Sequence, residues 1–229
     1  MSNRVTLVSG IAVVAILTFW IARAGSLEPP GPPAPTMASL QQINDKVGVS
    51  AVGVGKTGQT SCWDATGAAL PCATTGQDGE HQNGTSVSPR FSDSGNGAVK
   101  DNLTGLVWLK NANCFGTTKT WTDALALSGT LSNGMCGLTD GSVLGAWRLP
   151  NIREMHSLMD FSQFNPALPT GHPFTNVQAY NYWSSTTVMS DKTSAWRVNS
   201  ADGWIKDAFK TATDAAYVWP VRAGLQSCQ

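Results

Sequence analysis

From Arg90 onward, short apolar runs alternate with turn residues. Arg90-Phe-Ser-Asp93, Ala98-Val-Lys-Asp-Asn-Leu103 and Leu106-Val-Trp-Leu-Lys110 are separated by Ser94-Gly-Asn-Gly97 and Thr104-Gly105. Apolar runs broken by Asn-Gly read as hairpins, so the stretch predicts a three-stranded meander. Trp121-Thr-Asp-Ala-Leu-Ala-Leu127 then predicts a helix capped by Thr120 or Thr122, with Trp121, Leu125 and Ser128 on one face. A second helix is predicted over 152–159. Asn151 stands at its N-cap with Glu154 three residues on, a capping-box spacing, and Ile152, Met155, Leu158 and Met159 form its buried face. Pro166, Pro169 and Pro173 break the pattern. Strands are expected again near 182–187, at 195–199 paired through the Asp202-Gly203 turn with 203–205, and at 217–222. The order strands, helix, helix, strands predicts an α+β domain, two helices packed on a small twisted antiparallel sheet whose first and last strands are placed to be neighbours. One core is expected, containing Trp108, Trp147, Leu149, Ile152, Leu158, Val198 and Val218.

The pattern upstream is different. Arg4 precedes an apolar run over 5–21, followed by Ala22-Arg-Ala24. A basic residue, an apolar stretch and a small-x-small site fit a cleaved signal, whereas a run close to the lower limit for crossing a bilayer, roughly 17 residues, fits a retained anchor. Both readings of 1–24 export the rest of the chain, to the periplasm, the cell surface or the medium. Residues 25–48 hold Glu28-Pro-Pro-Gly-Pro-Pro-Ala-Pro35, a semi-rigid polyproline spacer, and a short helix with Met37, Leu40, Ile43 and Val47 on one face. Residues 49–97 form a Gly/Thr-rich lead-in, and 98–225 the main domain.

Composition narrows the function classes. Basic and acidic residues number 15 each, so the net charge is zero, and no basic stripe speaks for nucleic-acid binding. An exported chain meets an oxidising compartment, which makes Cys62–Cys72 and Cys114–Cys136 the expected disulfides and leaves Cys228 unpaired. His81, His156 and His172 lack metal-ligand spacing. Asp93, Asn96 and Asp101 do not match an EF-hand loop, so no metal and no cofactor are expected. No Gly-x-Ser-x-Gly nucleophile elbow occurs.

Several blocks together carry a resemblance: Thr104-Gly-Leu-Val-Trp108, Trp147-Arg-Leu-Pro-Asn-Ile-Arg-Glu154, Tyr182-Trp-Ser-Ser-Thr186 and Val218-Trp-Pro-Val-Arg222, preceded by Lys56-Thr-Gly-Gln-Thr-Ser-Cys-Trp-Asp64 and Thr75-Gly-Gln-Asp-Gly79. Over roughly 56–224 the chain resembles the bacterial Lcl C-terminal domain family, whose named member is a Legionella collagen-like adhesin. The resemblance implies a C-type-lectin-like fold, related to that of formylglycine-generating enzymes, and a role at the cell surface. The chain departs from the adhesin in having no Gly-X-Y repeat and no basic excess to hold sulfates. It also lacks the calcium motifs of sugar-binding C-type lectins and the reactive cysteine pair of the formylglycine-generating enzymes.

Arg148, Arg153, Glu154 and Arg222 read first as structural ion pairs and second as a polar ligand site. Trp183, Trp196, Trp204 and Trp219 are the aromatic candidates for stacking on a sugar, and Trp204, beside the turn, is the one expected to be exposed. The site expected from sequence is Tyr182, Trp183, Trp196, Asp202 and Trp204, a non-catalytic surface for a glycan or protein ligand. A structural component of an envelope assembly, with self-association into a homo-oligomer, is the second reading. An enzyme related to formylglycine-generating proteins is the third.

Overall fold

A computed structural model describes residues 53–224. The expected export segment, the proline-rich spacer with its short helix, and Cys228 lie outside the described residues. The domain is a mixed α+β structure with three antiparallel sheets. In the lead-in, β1 (Cys62–Trp63) and β2 (Ala69–Leu70) form a small hairpin closed by the Cys62–Cys72 disulfide, followed by a one-turn helix α1 (Asp78–His81). The second sheet holds β3 (Phe91–Asp93), β4 (Ala98–Asp101), β5 (Leu106–Leu109) and β9 (Val221–Ala223), in that order. The third holds β6 (Asn181–Thr187), β7 (Ser194–Asn199) and β8 (Ile205–Phe209).

The meander forms as its apolar runs predict, with Phe91 opposite Asp101 and Val99 opposite Trp108. β5 is central in its sheet and nearly dry: Val107, Trp108 and Leu109 are all buried. Its second neighbour is the last strand, with Val107 opposite Arg222 and Trp108 opposite Val221. The two ends of the domain therefore share one sheet. The sheet expected to be single is split in two, and the segment 216–223 joins the halves. Tyr217 pairs with Tyr182 of β6, while Val221 pairs with Trp108 of β5. The 217–222 strand consequently shortens to Val221–Ala223, because Pro220 has no N–H to donate to a ladder.

Helix α2 (Trp121–Thr130) is capped by Thr120, whose hydroxyl accepts the Asp123 N–H at 3.1 Å. Its buried residues are Ala124 and Ser128, and Leu125 faces solvent. The expected face thus corrects by one residue: Ala124 packs against the sheet, where the larger Leu125 would hold the helix away. Helix α3 (Ile152–Ser157) carries the full capping box, with Asn151 accepting from Glu154 N–H and Glu154 accepting from Asn151 N–H.

The apolar residues form two clusters, where one was expected. The larger gathers Trp108, Trp147, Leu158, Val198, Tyr182 and Trp219, with Ile152 packed against it. The smaller gathers Leu149, Val218, Ala124, Trp183, Ala195 and Ala208 beneath α2. Indole N–H groups tie distant segments together: Trp219 donates to Leu109 C=O at 2.8 Å, Trp183 to Lys119 C=O at 2.9 Å and Trp121 to Ser184 C=O at 2.8 Å. Leaving a buried indole N–H without an acceptor is costly, so each of these bonds fixes where its segment lies, whereas the Trp108 Nε1 is buried with no partner.

Candidate functional site

Most of the polar clusters read from sequence are occupied in holding the fold. Glu154 receives both terminal nitrogens of Arg148 at 2.7 Å, which joins the α3 capping box to the segment before it, where Arg148 bridges to Val221. Burial opposes the ionisation of Glu154, but the Arg148 guanidinium and the Asn151 N–H outweigh it and hold the carboxyl below its usual range. Asp140 is held low in the same manner against burial, by Ser142 and by Arg222 at 3.2 Å. Asp101 pairs with Arg90, and Asp93 with Lys110. Arg148, Glu154 and Arg222 are therefore anchors of the fold.

The five sequence candidates separate. Tyr182 and Trp183 have no exposed surface, so neither offers a face to a ligand. Tyr182 lies under Trp219 and Tyr217 and donates no charge to a site, since burial pushes its hydroxyl well above the usual phenol range. Its oxygen instead accepts the Gln178 N–H at 2.8 Å. Trp183 is a wall of the smaller core. β6 is buried on both faces at this point, so Trp183 cannot serve as the stacking surface that its aromatic ring suggested. Trp196 is half-buried on β7. Asp202 and Trp204 are exposed, Trp204 at 60%.

Asp202 and Trp204 belong to the turn between β7 and β8. Asp202 accepts the Trp204 N–H at 2.9 Å, and Gly203 adopts φ 80°. A side chain at Gly203 would be strained by that φ and would also meet the Phe161 ring at 2.8 Å. Two other loops are fastened to this turn through the backbone. Asn165 N–H donates to Ala201 C=O at 2.8 Å, Ala167 N–H to Ser200 C=O at 2.7 Å, and Ser200 N–H to Tyr180 C=O at 3.0 Å. The bonds bring Phe161, Phe164 and Tyr180 to the same end of the domain as Trp204, with exposures of 38%, 78%, 49% and 60%.

Phe161, Phe164 and Tyr180 are missing from the sequence-derived site. Phe161 and Phe164 fall in the proline-broken stretch, where no periodicity assigns a face. A usable signal was the density of aromatics in a segment with no strand or helix to bury them. On the other side of Phe161 lies a cavity of about 470 Å³ lined by Lys56, Arg90, Arg153, His156 and Met159. His156 stacks edge-on against Phe161 at 5.4 Å, and burial holds its imidazole below the usual histidine range. Among the described residues, no group of His, Cys, Asp and Glu side chains is arranged to hold a metal ion. No helix among them is long and apolar enough to cross a membrane.

Residues 97–222 match the model of the family described as the Lcl C-terminal domain, and the chain belongs to that family. No curated protein matches the chain.

Proposed function

We propose that this member of the Lcl C-terminal domain family is an exported, non-catalytic recognition module with a C-type-lectin-like fold. It binds a surface glycan or a protein through the end of the domain that carries Trp204. The carrying observation is the group of solvent-facing aromatics, Phe164, Tyr180 and Trp204, delivered by three segments that backbone hydrogen bonds hold together. Exposed aromatic rings on a fixed backbone offer stacking surface with little ordering cost on binding. Asn165, Asn176, Asn181 and Asn199 lie in the same loops and strand ends and supply adaptable hydrogen bonds. The two disulfides, Cys62–Cys72 and Cys114–Cys136, support export to an oxidising compartment. The pairing of β5 with β9 supports the lectin-like architecture, since it sets the start and end of the domain side by side. The commitment of Asp101, Glu154 and Asp140 to arginine partners supports a role without acid–base chemistry.

The test is a glycan-array and surface-protein binding screen of the purified protein, repeated with Trp204→Ala and Phe164→Ala. Both side chains are exposed, so the variants should melt with wild type while binding drops about tenfold or more. Binding that is unchanged in both variants overturns the reading. Binding that vanishes on chelation overturns the expectation that no metal takes part.

A further inference from the structure

Three arginines of the domain meet carboxylates: Arg90 with Asp101, Arg148 with Glu154 and Arg222 with Asp140. Arg197 does not. It is only 9% exposed, and its Nε is buried with no partner. Among the described residues, no ion pair and no side-chain hydrogen bond involves it. Its guanidinium lies 6.0 Å from the Trp183 ring centroid, a contact that leaves its N–H donors unmet.

The register shows what shares its face of the third sheet. Trp183, Arg197 and Lys206 lie directly opposite one another across β6, β7 and β8. The next row toward the open end is Asn181 opposite Asn199, with Asn199 N–H donating to Trp204 C=O at 2.8 Å. Trp204 is two residues from Lys206 and so points the same way, and the Lys206 ammonium stands 5.4 Å from its ring centroid. The other end of this face is closed by α2, where Trp121 and Ala124 pack with Ala195 and Ala208. Arg197 thus sits where the covered part of the face gives way to the open part. Directly opposed like charges are unfavourable, and no described carboxylate relieves this pair. Asp207 is opposite Trp196 and faces the other way, and Asp202 is engaged with the Trp204 N–H.

We propose that this face, Arg197 and Lys206 beside the Trp204 indole, receives the carboxylate of an acidic sugar unit, a hexuronate. The proposal rests on the reading of the domain as a recognition module and names the ligand class. The guanidinium is a planar fork that matches a planar carboxylate with two parallel hydrogen bonds. Trp204 lies diagonally from Arg197, a spacing of about 7–8 Å in an antiparallel pair, which a pyranose ring on the indole spans with its exocyclic carboxylate turned toward Arg197. The Asn199 carboxamide oxygen is taken by the Ala201 N–H at 2.9 Å, so its NH₂ group is left to meet a ring hydroxyl. With two cations and net charge zero over the chain, the face suits isolated carboxylates better than a densely charged polyanion.

Calorimetric titration of the purified protein with a galacturonate oligomer, its fully methyl-esterified form and a sulfated neutral oligosaccharide tests this. The acid should bind, and esterification, which keeps the ring and removes the charge, should weaken binding by about tenfold or more. The sulfated probe should bind more weakly than the acid. Lys206→Ala, an exposed position, should weaken acid binding about three- to tenfold without moving the melting temperature, and Arg197→Gln should remove it. Acid and ester binding alike, with both lost in Trp204→Ala, overturn the carboxylate receptor and leave the recognition module standing. Acid binding that survives Trp204→Ala but falls in Lys206→Ala overturns the stacked sugar and with it the aromatic platform. A short peptide with a free terminal carboxylate that binds as tightly as the acid overturns the sugar assignment. Absence of binding to all three probes, with a positive hit elsewhere on a glycan array, overturns the proposal alone.

Discussion

Asp101→Ala is expected to destabilise the domain more than any exposed substitution. Asp101 has no exposed surface and ends β4. Its two oxygens accept Arg90 Nε at 2.7 Å, Arg90 Nη2 at 3.0 Å, Leu103 N–H at 2.9 Å and Thr104 O–H at 2.8 Å. Arg90 Nη2 also donates to Ser157 C=O at 2.8 Å, so the pair connects the meander to the end of α3. Breaking a buried pair from one side costs about 3–5 kcal/mol, mostly because the remaining charge loses its partner. The Arg90 side chain is 19% exposed and can recruit some water, which places the cost near the lower end, about 3 kcal/mol. For a domain of this size that is a fall in melting temperature of about 6–12 °C. Urea unfolding of wild type, Asp101→Ala, Arg90→Met and the double variant measures it. Arg90→Met should cost less in the Asp101→Ala background than alone, since the charge left unpaired is then gone. A single-variant loss under about 1 kcal/mol, or strict additivity of the pair, would refute the reasoning.

Leu149→Ala empties part of the smaller core, where Leu149 is 2% exposed, and should cost about 2–5 kcal/mol in the same assay; a variant melting within a degree of wild type contradicts it. Thr120→Ala removes the α2 cap and should cost about 1 kcal/mol, with Thr122→Ala near neutral because Thr120 is the residue that bonds Asp123 N–H. Stability should fall on acidification in two stages, read from melting temperature against pH. Burial holds His156 and His172 below 6.5, so they take up protons more readily unfolded, and their contribution is full above that value and lost as pH drops below it, through their folded-state pKa values. Glu154 and Asp140 lie below 4.5 and 3.8, so theirs is full above those values and lost as pH drops further, through the folded-state pKa values. A melting temperature that rises between pH 7 and 5 would contradict the histidine part.

Local chemistry was readable wherever one short segment contains its own cause. The capping box at Asn151 and Glu154 needs only residues three apart. The meander needs only apolar runs around Ser94–Gly97, where Gly95 and Gly97 take the positive φ that the turn requires. The nearby cysteine pairs close short loops, at separations of 10 and 22 residues. The candidate site was readable only in part. Trp204 is exposed because it follows a tight turn, and a turn is a local event. Tyr182 and Trp183 were misplaced because both faces of β6 are covered at that point, one by Trp219 and Tyr217 and the other by α2 and Leu149.

Short stretches of the chain encode the order of strands and helices from Arg90 onward, together with their caps and turns. These follow from residue chemistry over spans of a few positions. The three-dimensional fold set the division of the sheet into two, the lacing of the halves by residues 216–223, and the separation of the apolar residues into two cores. It alone brought Phe164 and Tyr180 to the same end as Trp204, and left Arg197 without an ion pair among the described residues. Those outcomes depend on which distant backbone groups meet and on which side chains cover each face, and no spacing along the chain encodes either.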